Sequence, residues 1–213
     1  MDFNVWIQLL LATIVISVSP GAGAVTTMDN GMTYGFKRSY SSILGLQAGL
    51  LAQTLIVAVG LGGILAASST LYEIVKWIGV LYLVYIGIMK FKDSTLLGKS
   101  KKLAREFSFK RSFINAFLVN ITNPKATIFL IAFLPLFIDQ SKPKTEQFIV
   151  ICFTLITVDM LVMSGYSSLA QLMRKWMNNP KIVKAQNRIT GSLLILIAIF
   201  LATSENGSEV KGN

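Results

Sequence analysis

The residues best suited to chemistry lie inside long apolar stretches of this sequence. The stretch 113–137 carries Asn120, Asn123, Pro124 and Lys125 near its middle. A stretch of roughly 20 apolar residues can cross a bilayer as a helix, where a proline frees backbone groups and a cation costs roughly 2.5 kcal/mol or more. A helix that only anchors a protein needs neither residue. We therefore expect a binding site here; a kinked helix whose lysine reaches the membrane surface is the alternative.

A carboxylate lies similarly deep in another apolar stretch, 148–173, at Asp159. We expect Asp159 and Lys125 both to reach the middle of the membrane. Beside Lys125 the carboxyl would stay ionised, whereas on its own in an apolar site it would take up a proton. Buried charges in membrane spans are usually functional, so we interpret the two residues as a functional pair. A static ion pair is the alternative.

Composition places these residues in a membrane protein. The chain has 213 residues, of which 53% are hydrophobic and 14% are charged, and its mean hydropathy is +0.62. Soluble domains have about 25% charged residues. The net charge of +10 comes from Lys and Arg residues between apolar stretches, which indicates topology and not nucleic-acid binding. With one cysteine, Cys152, and no histidine, we expect neither a metal nor another cofactor.

The apolar stretches and the basic loops between them predict the topology. Six stretches are apolar, at residues 5–25, 42–65, 71–91, 113–137, 148–173 and 189–203. The segment before the first stretch contains Asp2 and no basic residue, whereas a signal peptide begins with a positively charged region. We therefore expect the first stretch to stay in the mature protein. Basic residues concentrate in alternate loops, at 28–40, 92–112 and 174–188. By the positive-inside rule these loops are cytoplasmic, and both termini lie outside.

The two halves of the chain carry matching interruptions. Ser19-Pro20-Gly21 interrupts the first apolar stretch, and Asn123-Pro124-Lys125 interrupts the fourth. Each interruption lies in the first helix of a group of three, and because three is odd the second group must be inverted in the membrane. We therefore predict an all-α membrane protein of six helices in an inverted 3+3 repeat. The repeats are residues 1–91 and 113–204, joined by a basic cytoplasmic loop, 92–112, and followed by a disordered tail, 205–213.

The second apolar stretch combines small and polar residues. Gly45 and Gly49 are spaced i, i+4, which lets two helices approach closely in lipid, so we interpret them as packing residues. Gln47 and Gln53 lie on the same stretch, and each amide needs hydrogen-bond partners away from water.

The sequence resembles the LysE/RhtB family of small amino-acid exporters. The resemblance rests on Ser19-Pro20-Gly21, on residues 45–49 (GLQAG), on Asn123-Pro124-Lys125-Ala126 and on residues 133–135 (FLP). Residues 158–159 (VD), 165–171 (GYSSLAQ), 184–187 (KAQN) and 191–193 (GSL) resemble its homoserine/homoserine lactone efflux branch. The match covers nearly the whole chain apart from the basic loop and the tail.

The resemblance implies a multi-pass exporter in the cell inner membrane, driven by protons. Many relatives have Pro-Gly-Pro where this chain has Pro20-Gly21-Ala22-Gly23, a departure that suits the homoserine branch. Exporters of basic amino acids tend to have an acid in the second helix, whereas this chain has Gln47 and Gln53. The expected substrate is therefore neutral or zwitterionic. The expected partners are this amino acid, protons and lipid; the oligomeric state stays open, a homo-oligomer included.

We assign hypothetical roles to the candidate residues. Lys125 and the backbone amides next to Pro20, between Ser19 and Gly21, would hold a carboxylate, as helix N-termini do. Neutral hydrogen bonds would come from three further side chains: Gln47, Asn120 and Asn123. Asp159 would bind the proton or the substrate ammonium in alternation.

Three other functions remain open. The same fold would serve an exporter of another amino acid, such as leucine or lysine. An intramembrane enzyme would need a nucleophile and a base, and only Ser19 or Ser164 with Lys125 offers such a pair. A channel or passive scaffold would need no deep titratable pair.

Overall fold

The computed structural model describes residues 1–67, 69–92, 106–139 and 141–203. These residues form nine α-helices and one 3-10 turn and contain no strand, as predicted. The helices are α1 (Phe3–Val18), α2 (Ala22–Tyr34), α3 (Phe36–Ala67), α4 (Ser69–Lys92), α5 (Phe109–Ile121), α6 (Pro124–Phe133), α7 (Lys144–Ser168), α8 (Ala170–Met177) and α9 (Pro180–Thr203), and the 3-10 turn is Leu134–Phe137. Most of the predicted basic loop, 93–105, and the predicted disordered tail lie outside the described residues.

Several of these helices can cross a membrane. Three are long and apolar enough on their own, over the segments Phe36–Gly60, Lys144–Ser168 and Pro180–Ile199. Helices α1 and α2 qualify together as a fourth span, bent by 58° at the break between them. Helices α5 and α6 have 13 and 10 residues, so each alone is too short to span.

The chain breaks at both of the predicted prolines. Helix α1 ends at Val18 and α2 begins at Ala22, on either side of Pro20. Helix α5 ends at Ile121 and α6 begins with Pro124 as its first residue, a position where a missing backbone N–H costs nothing. Each break is only two or three residues long.

Two segments predicted as loops are instead largely helical. Within 28–40, α2 continues to Tyr34 and α3 begins at Phe36. Polar residues of α2 are buried inside the protein, for example Thr27 and Asp29. A prediction from hydropathy alone therefore ended this helix too early. Between α2 and α3 lies only Gly35, whose φ of 79° is a conformation that glycine adopts without strain.

The second of these segments, 174–188, contains the end of α8 and the first two turns of α9. Helix α9 therefore begins at Pro180 and not near Ile189, where its apolar stretch begins. The exposed residues Lys181, Lys184 and Arg188 make this end of α9 polar. The apolar stretch therefore covers only the later part of α9 and misses its polar first turns.

Glycines bring two pairs of helices into close contact. A Cβ at Gly45 or Gly49 of α3 would collide with α5; at Gly49 it would lie 2.9 Å from the Asn120 Cβ and 3.0 Å from the Phe117 carbonyl oxygen. Gly87 of α4 faces Gly191 of α9 in the same way, since a Cβ at Gly87 would lie 2.9 Å from the Gly191 carbonyl oxygen. The packing role predicted for Gly45 and Gly49 is confirmed.

The described core has two separate hydrophobic clusters. The first surrounds α6 and the 3-10 turn, where Phe129, Phe133 and Phe137 stack at centroid distances of 4.3 and 4.5 Å. The second surrounds α2 and includes Met28 and Leu46. The clusters lie on opposite sides of the two helix breaks, and they leave a space between them.

Substitution of Gly49 tests this packing. Gly49→Ala should destabilise the protein by about 1–3 kcal/mol, because the added methyl group meets α5 with no room to move. Gly60→Ala, on the same helix, is the matched control, since a Cβ there would have no neighbouring atom within 4 Å among the described residues. A thiol-reactive dye that reports exposure of the partly buried Cys152 gives the unfolding temperature in detergent. Equal unfolding temperatures for the two variants would contradict the prediction.

Candidate functional site

A cavity of about 130 Å³ lies where the two broken helices meet. Helices α1 to α7 and α9 contribute residues to its wall, whereas none of the described lining residues comes from the 3-10 turn or α8. Much of the wall is apolar, for example Leu46, Phe129 and Met163. The polar and charged residues that line it are Thr13, Ser17, Ser19, Lys90, Asn120, Asn123 and Asp159.

One side of the cavity is formed by the first break and the N-terminus of α2. Residues 21–24 line the cavity, and the N-cap residue, Gly21, has no side chain with which to cap this helix. The first backbone N–H groups of a helix have no partner within it, and together with the helix dipole they attract anions. Ser19 is buried beside them, and its Oγ has no hydrogen-bond partner in the described part of the chain. This side of the cavity can therefore accept a carboxylate.

The first break is held in place by two other helices. Pro20 cannot donate a hydrogen bond, so the carbonyl groups that end α1 need other donors. The Val18 carbonyl oxygen accepts a hydrogen bond of 2.7 Å from the Tyr166 hydroxyl of α7 and one of 3.1 Å from Gln186 Nε2 of α9. The broken backbone is thereby fixed against α7 and α9.

The second break is held by a glutamine of α3. Gln53 Nε2 donates to the Ile121 carbonyl oxygen at 3.3 Å and to Thr127 Oγ1 at 2.8 Å. Ile121 is the last residue of α5, and Thr127 lies in the first turn of α6. Gln53 thus connects both half-helices to α3. The Gln53 Nε2 finds the expected partners inside the protein, whereas its buried Oε1 has none in the described part of the chain.

Asp159 lies in the wall of the cavity with an amide as its partner. Gln47 Nε2 of α3 donates to Asp159 Oδ2 at 2.8 Å, and the Ser17 side chain of α1 is a second hydrogen-bonding neighbour of the carboxyl. Gln47 is buried, and its Oε1 has no partner among the residues that the structure describes. Asp159 is only partly buried and faces the cavity, so a solute there can reach it.

The structure brings together most of the residues that the sequence singled out. Ser19, Gly21, Asn120, Asn123 and Asp159 line the cavity. The Asn120 amide is also structural, since its Nδ2 donates to the Leu46 carbonyl oxygen at 2.6 Å.

The other predicted residues have different positions. Gln47 and Pro20 are not part of the cavity wall; Gln47 lies behind Asp159, and Pro20 sets the break. The side chains of Pro124 and Lys125 lie outside the described part of the structure, so the pairing of Lys125 with Asp159 stays a prediction. The backbone places both residues in the first turn of α6.

Four residues at or near the site were not identified from the sequence. Tyr166 and Gln186 were noted only as part of family-like motifs, although they hold the first break. Ser17, three residues before Pro20, lines the cavity beside Asp159, and no sequence motif pointed to it. Lys90 lies at the end of an apolar stretch, which is typical of a helix end at the membrane surface, yet it is 9% exposed and lines the cavity.

The arrangement suits binding better than covalent chemistry. Ser164, one of the two serines considered as nucleophiles, donates its hydroxyl to the Met160 carbonyl oxygen at 2.7 Å and does not line the cavity. The cavity instead presents hydrogen-bond donors, acceptors and opposite charges at separate places on its wall. Such a surface can recognise a small polar solute.

Known proteins match this chain over nearly its whole length. The model of the LysE type translocator family matches residues 14–205. The chain is 39% identical over 206 residues to the homoserine/homoserine lactone efflux proteins of Salmonella typhi and Salmonella typhimurium, covering 97% of this chain and 100% of theirs. It is 37% identical over 205 residues to an uncharacterized membrane protein of Vibrio cholerae, covering 96% of this chain and 100% of that protein. No solved structure matches the chain.

These matches confirm the resemblance drawn from the sequence motifs. They span nearly the full length of the chain and of its relatives, so they include both helix breaks and Asp159. Translocators and not enzymes make up the matched family. This protein is a membrane protein that belongs to the LysE type translocator family.

Proposed function

We propose that this protein is a secondary active exporter of small neutral amino acids or their derivatives, such as homoserine, homoserine lactone or threonine. It resides in the cell inner membrane and uses the proton motive force. The observation that carries the proposal is one cavity with an uncapped helix N-terminus and a carboxylate in its wall. An α-amino acid has a carboxylate and an ammonium group that match these two features. The efflux function of the Salmonella relatives supports the same substrate class.

The size of the cavity supports a small substrate. Pockets for drug-sized ligands usually measure about 300–1,000 Å³, whereas this cavity measures about 130 Å³. In the proposed binding mode, the N–H groups of residues 21–24, Ser19 and Lys125 hold the carboxylate. Asp159 holds the ammonium, and Asn120 and Asn123 supply neutral hydrogen bonds.

The pattern of helix contacts supports the proposed six-helix inverted repeat. In this repeat α1–α2 corresponds to α5–α6, α3 to α7, and α4 to α9. Helix α3 packs on α5 of the other group and α7 packs on α1, as the correspondence requires. The pairs α3 with α7 and α4 with α9 also pack together, and each would lie across the pseudo-two-fold axis. We propose that both termini lie outside.

The two hydrophobic clusters suit alternating access to the cavity. Leu130 and Leu155 of the first cluster and Leu46 and Met163 of the second line opposite parts of the cavity wall. Separation of one cluster at a time would open the cavity to one side only. In the proposed orientation the second cluster faces the cytoplasm and would open to admit substrate.

Reporter fusions test the orientation. Alkaline phosphatase fused after Asn213 should be active, because it folds only outside the cytoplasm and we propose an outside C-terminus. The same enzyme inserted within residues 99–105 should be inactive, while a fluorescent protein there should be bright. An inactive C-terminal phosphatase would contradict both the six-helix count and the inverted repeat.

Substitution of Lys125 tests the predicted carboxylate anchor. Lys125→Ala should reduce export of labelled homoserine to the level of cells without the protein, because the cation that the carboxylate binds is lost. Protein in the membrane fraction should stay folded. Lys110→Ala is the matched control, since Lys110 is exposed and lies outside the cavity. Normal export by Lys125→Ala would mean that the lysine reaches the membrane surface and binds no substrate.

Substitution of Asp159 tests proton coupling and the exporter proposal together. Inverted vesicles that contain the parent protein should accumulate labelled homoserine when a pH gradient is imposed. Asp159→Asn keeps the size of the side chain but cannot take up a proton. It should still bind homoserine, yet accumulate at least tenfold less and retain only slow exchange.

Glu106→Gln is the matched control for the loss of a carboxylate, because Glu106 is exposed and does not line the cavity. Undiminished pH-driven accumulation by Asp159→Asn would assign the proton to another group. Absence of any accumulation by the parent protein would contradict the exporter proposal itself.

A further inference from the structure

The cavity contains a second charge that the sequence did not place there. Of the described residues that line the cavity, two are charged: Asp159 of α7 and Lys90 of α4. Lys90 is only 9% exposed, so most of its side chain lies within the protein. Burial of a cation is costly unless acceptors or an opposite charge compensate it, and such groups can come from the protein and from a bound solute.

Lys90 also lies between two spaces. A second cavity of about 260 Å³ is lined by Ile86, Met89, Lys90 and Lys92. Ile86 and Lys90 line both cavities, so Lys90 borders the central cavity and the second one. Both residues lie near the C-terminal end of α4, which is the cytoplasmic end in the proposed orientation.

The backbone next to Lys90 is fixed by close packing on α9. Gly87, one turn before Lys90, approaches Gly191 so closely that neither position has room for a Cβ. Residues three or four apart lie on the same face of a helix, so Lys90 lies on the same face of α4 as Gly87, one turn beyond the close contact with α9. Its position relative to the cavity is thus set by a rigid helix pair.

We propose that Lys90 binds the substrate carboxylate at the cytoplasmic mouth of the cavity, before the carboxylate passes to the N-terminus of α2. This inference rests on the proposed export function and deepens it. The cation and Asp159 give the cavity two opposite charges, and a zwitterion carries the same two charges in complementary order. A solute without a free carboxylate would gain nothing from Lys90.

Two related substrates, one with a free carboxylate and one without, test the proposal. Homoserine has a free carboxylate, whereas in homoserine lactone this group forms an ester with the side-chain hydroxyl. Lys90→Gln should raise the KM for homoserine export about tenfold, the change expected when one charge-assisted hydrogen bond is lost. The KM for the lactone, measured at mildly acidic pH to limit its hydrolysis, should change by less than twofold. The kcat for both should remain near that of the parent.

Two further variants separate charge from structure. Lys90→Arg keeps the positive charge and should restore most of the homoserine KM. Lys110→Gln removes an exposed lysine away from the cavity and should leave both substrates unaffected. Equal losses for homoserine and the lactone in Lys90→Gln would assign Lys90 to the packing of α4 and overturn the proposal. An unchanged homoserine KM would overturn it as well.

Equilibrium binding to the purified protein keeps this inference distinct from the export proposal. Labelled homoserine should bind the parent protein in detergent, and Lys90→Gln should weaken its Kd about tenfold while the Kd of the lactone is kept. Lys90-dependent binding by a protein that exports nothing would support the inference and contradict only the exporter. Equal Kd values for parent and Lys90→Gln would overturn the inference whether or not the protein exports.

Discussion

Satisfying the backbone at the two helix breaks is the constraint on which the rest of this structure depends. A break inside a membrane span exposes carbonyl groups that water cannot reach, and each unpaired group costs several kcal/mol. The Val18 carbonyl is paired by Tyr166 and Gln186, and the Ile121 carbonyl by Gln53. In both cases the donor is a side chain from a distant helix, so the breaks exist only where those helices are packed in place.

These hydrogen bonds connect the two halves of the chain. Gln53 belongs to the first half and holds the break of the second, while Tyr166 belongs to the second half and holds the break of the first. Among the described residues, the side chains that donate to each of these two carbonyl groups come from the other half. The cavity, which lies where the two breaks meet, is therefore a product of both halves together, and the glycine contacts of α3 with α5 and α4 with α9 keep them in register.

The sequence was sufficient for features that depend on local chemistry. Pro20 and Pro124 break helices wherever they lie in one, so both breaks could be predicted. Pairings between distant residues could not. The sequence placed Asp159 deep in an apolar stretch but did not indicate Gln47 and Ser17 as its neighbours. Its pairing with Lys125 stays a prediction, because the Lys125 side chain lies outside the described structure.

Hydropathy also failed in two places for one physical reason. A hydropathy scale describes the transfer of a side chain between water and lipid, whereas several polar side chains here are surrounded by other side chains of the protein. Thr27 and Asp29 are polar and lie inside the protein, so α2 continued beyond its predicted end. Lys90 resembles a lysine at a membrane surface, yet packing of α4 carries it to the cavity wall. A hydropathy pattern does not show whether a side chain is buried by protein or by lipid.

The amide partner of Asp159 has a property that a cationic partner would lack. Gln47 Nε2 donates to the carboxyl at 2.8 Å, and Gln47 Oε1 has no partner within the described structure. A primary amide has both donors and an acceptor. When its amide group flips over, the same side chain can accept a hydrogen bond from a protonated carboxyl. A lysine at this place could only donate and would favour the ionised form alone. The proposed transport cycle adds a proton to this carboxyl and removes it again. An amide partner stabilises both forms of the acid, because it leaves neither form without a hydrogen bond.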